Sequence, residues 1–240
     1  LRKTMTLGLI FANKVGPYLG SIMEGVEGHL RGTDYQMAVA TCEGSLDVLD
    51  TEIRRMHYRQ VDGIILFPPA ISEGAEFQLP KPDLSIKQIP MVIIGRFLNS
   101  ALGSGLDHVL MEDYEAGEAV ALDLLSHGCK SFGFVMTPSV CSSDNGRRKG
   151  FQETLLRNGV SPERIQIVIE ANGPTSESLH RLKEVDGFFC VNTNLLLKYT
   201  KGLSSLRNLT EGVQLISVGE IDGREQLSVP VRTLGLPGKE

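Results

Sequence analysis

The chain has 240 residues, with 24 Lys and Arg against 29 Asp and Glu, a formal charge of −5. That length suffices for one large or two small domains with real cores. Hydrophobic residues at 41% and charged residues at 22% exclude a disordered chain, no apolar run approaches the roughly 18 residues that span a bilayer, and the acidic balance, with no Trp and 6% aromatics, argues against gripping nucleic acid by charge or stacking.

The elements alternate along the chain. Short β-branched runs read as strands at Thr6–Ala12, Tyr35–Thr41, Val61–Phe67 and Pro90–Gly95, and amphipathic stretches read as helices at Pro17–Arg31 and Ser45–Arg59, the latter with Ser45 as N-cap. Phe97–Leu106 reads as a loop and Val109–Glu112 as a short strand. The alternation then restarts with helix Tyr114–Ser126, strand Ser131–Met136, helix Asn145–Asn158, strand Ile165–Glu170, helix Ser176–Leu182, strand Gly187–Val191, helix Leu195–Leu206 and strand Gln214–Val218. Val229–Pro237 carries no helical pattern and reads as a segment that crosses back to the first half. Strands that alternate with helices, and that are apolar throughout, predict parallel sheets covered on both faces. The fold class is therefore α/β, with two doubly wound parallel-sheet lobes: residues 1–112 plus 230–240 form the first and 113–229 the second. Ligands of such sheets bind at the carboxyl ends of the strands, so the expected site is a cleft between two lobes.

The chemistry-bearing residues do not assemble into a catalytic pattern. No Walker A loop, dinucleotide fingerprint or nucleophile elbow is present. His29, His57, His108, His127 and His180 are scattered, and the spacing of Cys42, Cys129, Cys141 and Cys190 matches neither metal nor redox motifs, so these read as free thiols in a reducing compartment. Glu112-Asp113 reads as charge and capping at a helix start. No enzyme activity, cofactor or metal is expected.

Seven runs in order resemble the effector-binding core of the lactose-repressor (LacI/GalR) family. Gly8-Leu9-Ile10-Phe11-Ala12-Asn13, then Pro17-Tyr18 and Ile22-Met23-Glu24-Gly25-Val26-Glu27, is similar to the family's opening strand, its Asn-Pro-Phe-Phe loop and its helix ending in Gly-Ile-Glu. Val61-Asp62-Gly63-Ile64-Ile65 resembles Val-Asp-Gly-Ile-Ile, and Pro90-Met91-Val92-Ile93-Ile94-Gly95-Arg96 resembles Pro-Val-Val-Leu-Ile-Asp-Arg. Glu112-Asp113 with Ala116-Gly117 resembles Asp-Asn-x-x-Ala-Gly. The run Ser142-Ser143-Asp144-Asn145-Gly146-Arg147-Arg148-Lys149-Gly150-Phe151 resembles Ser-Ser-Ala-Arg-x-Arg-x-x-Gly-Phe. Phe189-Cys190-Val191-Asn192 resembles Phe-Cys-Ala-Asn, and Pro230-Val231-Arg232-Thr233 with Pro237 resembles the closing Pro-Leu-Thr-Thr-x-x-x-Pro.

The resemblance implies a type I periplasmic-binding-protein-like fold and a cytoplasmic, homodimeric transcription regulator. Its lobes would close on a small sugar-like effector, and operator DNA would be bound by a helix-turn-helix or winged GntR-type domain outside this chain, with no membrane association. It implies that Asn13, Tyr18, Arg96, Phe97, Asn145, Arg147, Asn192 and Asp222 bind the effector; Arg forks, Asn amides and an Asp suit a polar, hydroxyl-bearing ligand. Plainer roles stay open: Tyr18 stapling its helix to the core, Arg147 pairing with Asp144, Phe67 and Phe97 packing inside. The chain departs from the family pattern at Gly95 for Asp, Asn145 for Arg, Thr193 for Asp, Ile221 for the ligand-facing Asp and Leu19 for Phe, which points away from a common hexose and leaves a modified sugar, a sugar acid, a nucleoside-like molecule or a phosphorylated partner open. The alternative reading is a periplasmic sugar-binding protein of an ABC importer.

Overall fold

A computed structural model of the chain describes residues 3–12, 17–69, 89–95, 106–138, 142–206, 208–209, 212–219 and 229–236. The chain divides into two units. Unit 1 comprises Leu1–Met111, Val140–Ser143 and Pro237–Glu240, and unit 2 comprises Glu112–Ser139 and Asp144–Leu236.

Unit 1 contains β1 (Thr6–Phe11), α1 (Pro17–Leu30), β2 (Gln36–Thr41), α2 (Leu46–Tyr58), β3 (Gly63–Phe67), β4 (Met91–Ile94) and β5 (Asp107–Val109). Its sheet is parallel, in the order β2-β1-β3-β4-β5. The chain steps one way from β1 to β2 and the other way from β2 to β3, so right-handed crossovers put α1 and α2 on opposite faces. The α2 face is closed: Leu49, Ile53 and Met56 of α2 share one buried cluster with Ile64 and Leu66 of the sheet. Gly8 is part of that fit, because a Cβ there would lie 3.1 Å from the Met56 sulfur. Ser45 caps α2 as the sequence suggests, accepting a hydrogen bond from the Val48 amide. The α1 face is less filled. A largely apolar cavity of about 430 Å³ runs beneath α1, with Leu7, Ile22, Val26, Ile65, Ile94 and Val109 in its wall, and Val109 is 61% exposed.

Unit 2 contains α3 (Asp113–Ser126), β6 (Phe132–Met136), α4 (Ser142–Arg157, from Asp144 onwards), a 3-10 turn at Pro162–Arg164, β7 (Ile165–Ile169), α5 (Ser176–Leu182), β8 (Gly187–Cys190), α6 (Thr193–Ser204), β9 (Gln214–Val218) and β10 (Val231–Leu234). Its parallel sheet runs β10-β9-β8-β6-β7. One face is centred on Phe151 of α4, whose ring lies 5.6 Å from Phe134 and 5.5 Å from Phe189, centroid to centroid. Phe134 and Phe189 meet edge to face at 5.2 Å, a favoured arrangement for the ring quadrupoles. On the other face, Gly133 makes room for Leu182 and Phe188.

The helices α3 and α4 cross almost backbone to backbone. A Cβ on Gly117 would lie 2.1 Å from the Arg147 carbonyl oxygen, and one on Gly150 would lie 1.9 Å from that of Tyr114. Only glycine permits this approach.

The structure differs from the sequence reading in four places. Val231–Leu234 is a strand paired with β9, so this part of 230–240 extends the second sheet, while Pro237–Glu240 groups with unit 1. The Val-x-Thr-x alternation is strand-like, and the open edge of β9 supplies the partner. The edge strand β5 lies at Asp107–Val109, ahead of the predicted Val109–Glu112, because Val92–Ile94 of β4 pair with those residues. The helix α4 begins at Ser142, three residues early, which puts Asp144 in its first turn. The helix α6 begins at Thr193, because Asn192 caps it.

Among the described residues, no helix is long and apolar enough to cross a membrane, and no three His, Cys, Asp or Glu are grouped to hold a metal. Cys42, Cys129 and Cys190 are free and buried. Burial, with Asp186 nearby, pushes the Cys129 thiol up to about 11, and burial alone raises Cys190 further, so both are packing residues, not nucleophiles. Cys141 lies outside the described residues.

Candidate functional site

In an open parallel sheet, two neighbouring strands whose following connections leave in opposite directions open a crevice at their carboxyl ends. Unit 2 meets that condition between β6 and β8. The chain leaves β6 towards β7 and leaves β8 towards β9, on the other side. The helices that follow these strands are α4 and α6, and the predicted ligand residues Asn145, Arg147 and Asn192 stand at their starts. Their free N-terminal amides and aligned dipoles make such ends strongly polar.

Arg147 is the most constrained of these residues. Its side chain is 7% exposed and its Nη2 lies 2.8 Å from Oδ1 of Asp113, the first residue of α3; its Nη1 lies 3.8 Å from Oδ1 of Asp144. The Asp113 and Asp144 side chains are themselves only 14% and 15% exposed. The close α3–α4 crossing brings this triad together, because Arg147's own carbonyl is what Gly117 packs against. The Arg147 Nε–H has no hydrogen-bond partner among the described residues.

Glu112 and Asp113 do not share the capping role that the sequence suggests for them. Glu112 occupies the N-cap position but makes no side-chain cap, its backbone being outside the usual extended geometry. Asp113 is committed to Arg147. Arg147 pairs with Asp113 more closely than with the Asp144 that sequence proximity suggests.

Asn192 has extended backbone geometry, and its Oδ1 accepts from the Leu195 amide at 2.9 Å. The helix start takes one lone pair of its side-chain carbonyl, and the amide NH2 is the donor it can offer a ligand. The hydroxyl of Thr193, which stands where the family has Asp, shares a hydrogen bond with the Ser217 hydroxyl at 3.3 Å.

Unit 1 has its own point of divergence, between β1 and β3. Tyr18 at the start of α1 lies beside it, partly buried. Its ring meets Phe67 of β3 edge to face at 6.1 Å, and its hydroxyl lies 3.6 Å from the Met111 sulfur. Phe67 also explains the departure at position 95. Gly95 has φ +77°, and a Cβ there would fall 2.4 Å from the Phe67 ring. The aromatic fills the room that an Asp side chain would need. Asn13, Arg96, Phe97 and Asp222 lie outside the described residues.

A second polar cluster was not foreseen. Glu170, after β7, accepts hydrogen bonds from the Tyr199 hydroxyl at 2.6 Å, the Thr175 hydroxyl at 2.7 Å, the Ser178 hydroxyl at 2.9 Å and the Thr175 amide at 3.1 Å. Thr175 and Ser178 form the reciprocal capping box of α5 around it. Burial works to raise the Glu170 pKa, but these donors together outweigh it and hold the carboxyl below its ordinary 4.5. The cluster is internally satisfied, so it fastens β7, α5 and α6 and offers little to a ligand. Because the folded value is the lower one, Glu170 contributes stability above the unfolded value, and that contribution is lost as pH falls through the folded one. Urea denaturation of Glu170→Gln at neutral pH is expected to cost about 1–3 kcal/mol. The gap to the unmodified protein should close as the pH is taken well below 4.5; a gap independent of pH would refute the assignment.

Comparison with known proteins gives the same fold. A periplasmic binding protein/LacI transcriptional regulator from Alkaliphilus metalliredigens QYMF, solved with D-xylulofuranose, aligns at a TM-score of 0.78 with 16% identity, covering 98% of this chain and 86% of that one. The Cra transcriptional dual regulator from Pseudomonas putida, solved with fructose 1-phosphate, aligns at 0.74 with 21% identity, covering 98% and 87%. In sequence, the ribose operon repressor of Haemophilus influenzae is 23% identical over 155 residues, 65% of this chain and 44% of the repressor. The chain thus spans under half the length of the curated relatives it matches. Residues 4–178 match the family described as periplasmic binding proteins and sugar binding domain of LacI family, and the chain belongs to that family.

Proposed function

We propose that this chain is the effector-sensing core of a transcription regulator. A small polar, sugar-like metabolite binds at the carboxyl edges of the sheets and alters DNA binding by a helix-turn-helix domain that the chain does not include. The protein acts in the cytoplasm as a homodimer, the twofold match to a twofold operator, without catalysis, cofactor or membrane. The observation that carries this reading is that the two helices bearing Asn145, Arg147 and, as N-cap, Asn192 both follow the strands β6 and β8 that diverge. The names of the curated relatives, a ribose operon repressor and a probable HTH-type regulator from Paenibacillus polymyxa, favour a regulator over the sugar-binding component of an importer. In unit 1, Tyr18 offers a ring face and a hydroxyl, and we assign Asn13, Arg96, Phe97 and Asp222 to effector binding on motif position alone.

The test is a thermal-shift screen with neutral pentoses, hexoses and disaccharides at millimolar concentration. A ligand at 100 times its Kd should add about 2.7 kcal/mol of stability, a rise of several degrees for a protein of this size. Asn192→Asp keeps an oxygen acceptor for the Leu195 amide but loses the NH2 donor. It should therefore melt like the unmodified protein yet bind roughly tenfold more weakly, the value of one buried hydrogen bond. A panel that shifts nothing would contradict the sensor reading.

A further inference from the structure

The sheet of unit 2 has β7 at one edge. Its residues, Ile165-Gln166-Ile167-Val168-Ile169, include no charge, no Pro and no Gly, and all but Gln166 are β-branched. Such a segment pairs readily with copies of itself, and an edge strand leaves one side of its backbone open to do so. The register shows which groups lie open. In a parallel ladder, alternate residues turn both backbone groups towards the same neighbour. The Glu170 amide donates to the Met136 carbonyl of β6 at 3.0 Å. Gln166 and Val168 therefore also face β6, and Ile165, Ile167 and Ile169 turn their backbone groups outwards. The Ile169 residue is 51% exposed.

Two local devices cover part of this edge. The Ile165 amide donates back to the Pro162 carbonyl of the 3-10 turn. The Ile167 carbonyl accepts from Nη2 of Arg181 at 3.2 Å, and the same nitrogen donates to Oε1 of Gln166 at 3.3 Å. Arg181 is an exposed residue of α5, so its guanidinium reaches round the strand and occupies the place that the amide of an added strand would take. Among the described residues, the Ile167 amide and both backbone groups of Ile169 have no hydrogen-bond partner.

A second copy of the strand complements the first. Run antiparallel with Ile167 opposite Ile167, it sets the outward-turned Ile165 against Ile169 and places Arg164 opposite Glu170. A parallel, in-register pair would instead set Arg164 against Arg164 and Glu170 against Glu170, an unfavourable match of like charges.

We propose that the outer edge of β7 is a self-pairing surface, which takes the same strand of a second copy of this chain antiparallel, and that Arg181 holds it closed.

The experiment is sedimentation velocity over a wide range of protein concentration, well below the melting temperature. Arg181→Ala is expected to associate beyond the state of the unmodified protein at a concentration at least about tenfold lower, the value of one hydrogen bond from a charged donor. Amide exchange at Ile167 and Ile169 should slow in the associated form. Adding Ile169→Lys, which puts a charge on the edge, should abolish the gain. Adding Arg164→Glu, which sets like charges opposite each other in the antiparallel register, should reduce it. Arg181→Met keeps an apolar stem along the strand and loses only the guanidinium, and it serves if Arg181→Ala melts early. No gain in either Arg181 variant, or a gain that Ile169→Lys leaves unchanged, overturns the proposal. A gain that Arg164→Glu leaves unchanged overturns the antiparallel pairing.

Discussion

Replacing Gly150 with Ala is expected to destabilise the protein by about 3 kcal/mol, the upper range for forcing extra atoms into a packed core. Two effects oppose each other. Alanine is the better helix former by about 1 kcal/mol, but its Cβ would stand 1.9 Å from the Tyr114 carbonyl oxygen. That neighbour is backbone in the facing helix, so only separation of α3 from α4 relieves the clash. Gly117→Ala meets the Arg147 carbonyl at 2.1 Å and should behave alike. Gly28 is the control: it lies in α1, and a Cβ added there would meet nothing within 4 Å, so Gly28→Ala should stabilise by about 0.5–1 kcal/mol. Urea denaturation of the three variants checks the contrast. Equal, small effects at all three positions would mean that the α3–α4 crossing is looser than described.

Arg147→Ala is expected to cost about 3 kcal/mol, the lower end for removing one partner of a buried ion pair. The lower end applies because Asp113 and Asp144 keep some exposure and the favourable potential of their helix starts. Asp113→Asn in the same background should recover part of the loss, since it removes the carboxylate left without its cation. A double-mutant cycle should thus show a coupling of about 1–3 kcal/mol; additivity within about 0.5 kcal/mol would mean that the pair does not act as a unit. The substitution bears on function too. A loss of effector binding in Arg147→Ala combines a missing contact with a disturbed helix crossing, and Asn192→Asp separates the two.

The alternation of strands and helices was legible because parallel-sheet strands are apolar throughout while their covering helices carry a 3.6-residue period. Ile165–Ile169 and Gln214–Val218 stand out for that reason, and Ser176–Leu182 is framed by Thr175 as a cap. Element ends were less legible where polar residues begin a helix. Ser142-Ser143-Asp144 and Thr193-Asn194 have no apolar period, yet they form first turns because caps and helix-end charge favour them. The strand at Val231–Leu234 depended on a free edge of β9, which no local pattern reveals. At the candidate site, motif order brought Arg147 and Asn192 to attention. The partners that define their chemistry are distant in sequence: Asp113 is reached through the glycine contacts of two helices, and Phe67 closes the space at Gly95. The same holds for Glu170 and Tyr199, joined only when α6 packs beside α5.

A hydroxyl-rich effector is expected to sit where β6 and β8 diverge. Amide hydrogen exchange of the protein with and without a neutral sugar that raises its melting temperature tests this most directly. Slowed exchange is expected in 142–148 and 192–196, the starts of α4 and α6. Protection confined to the apolar cavity beneath α1, at Ile22 and Val26, with the starts of α4 and α6 unchanged, would contradict it.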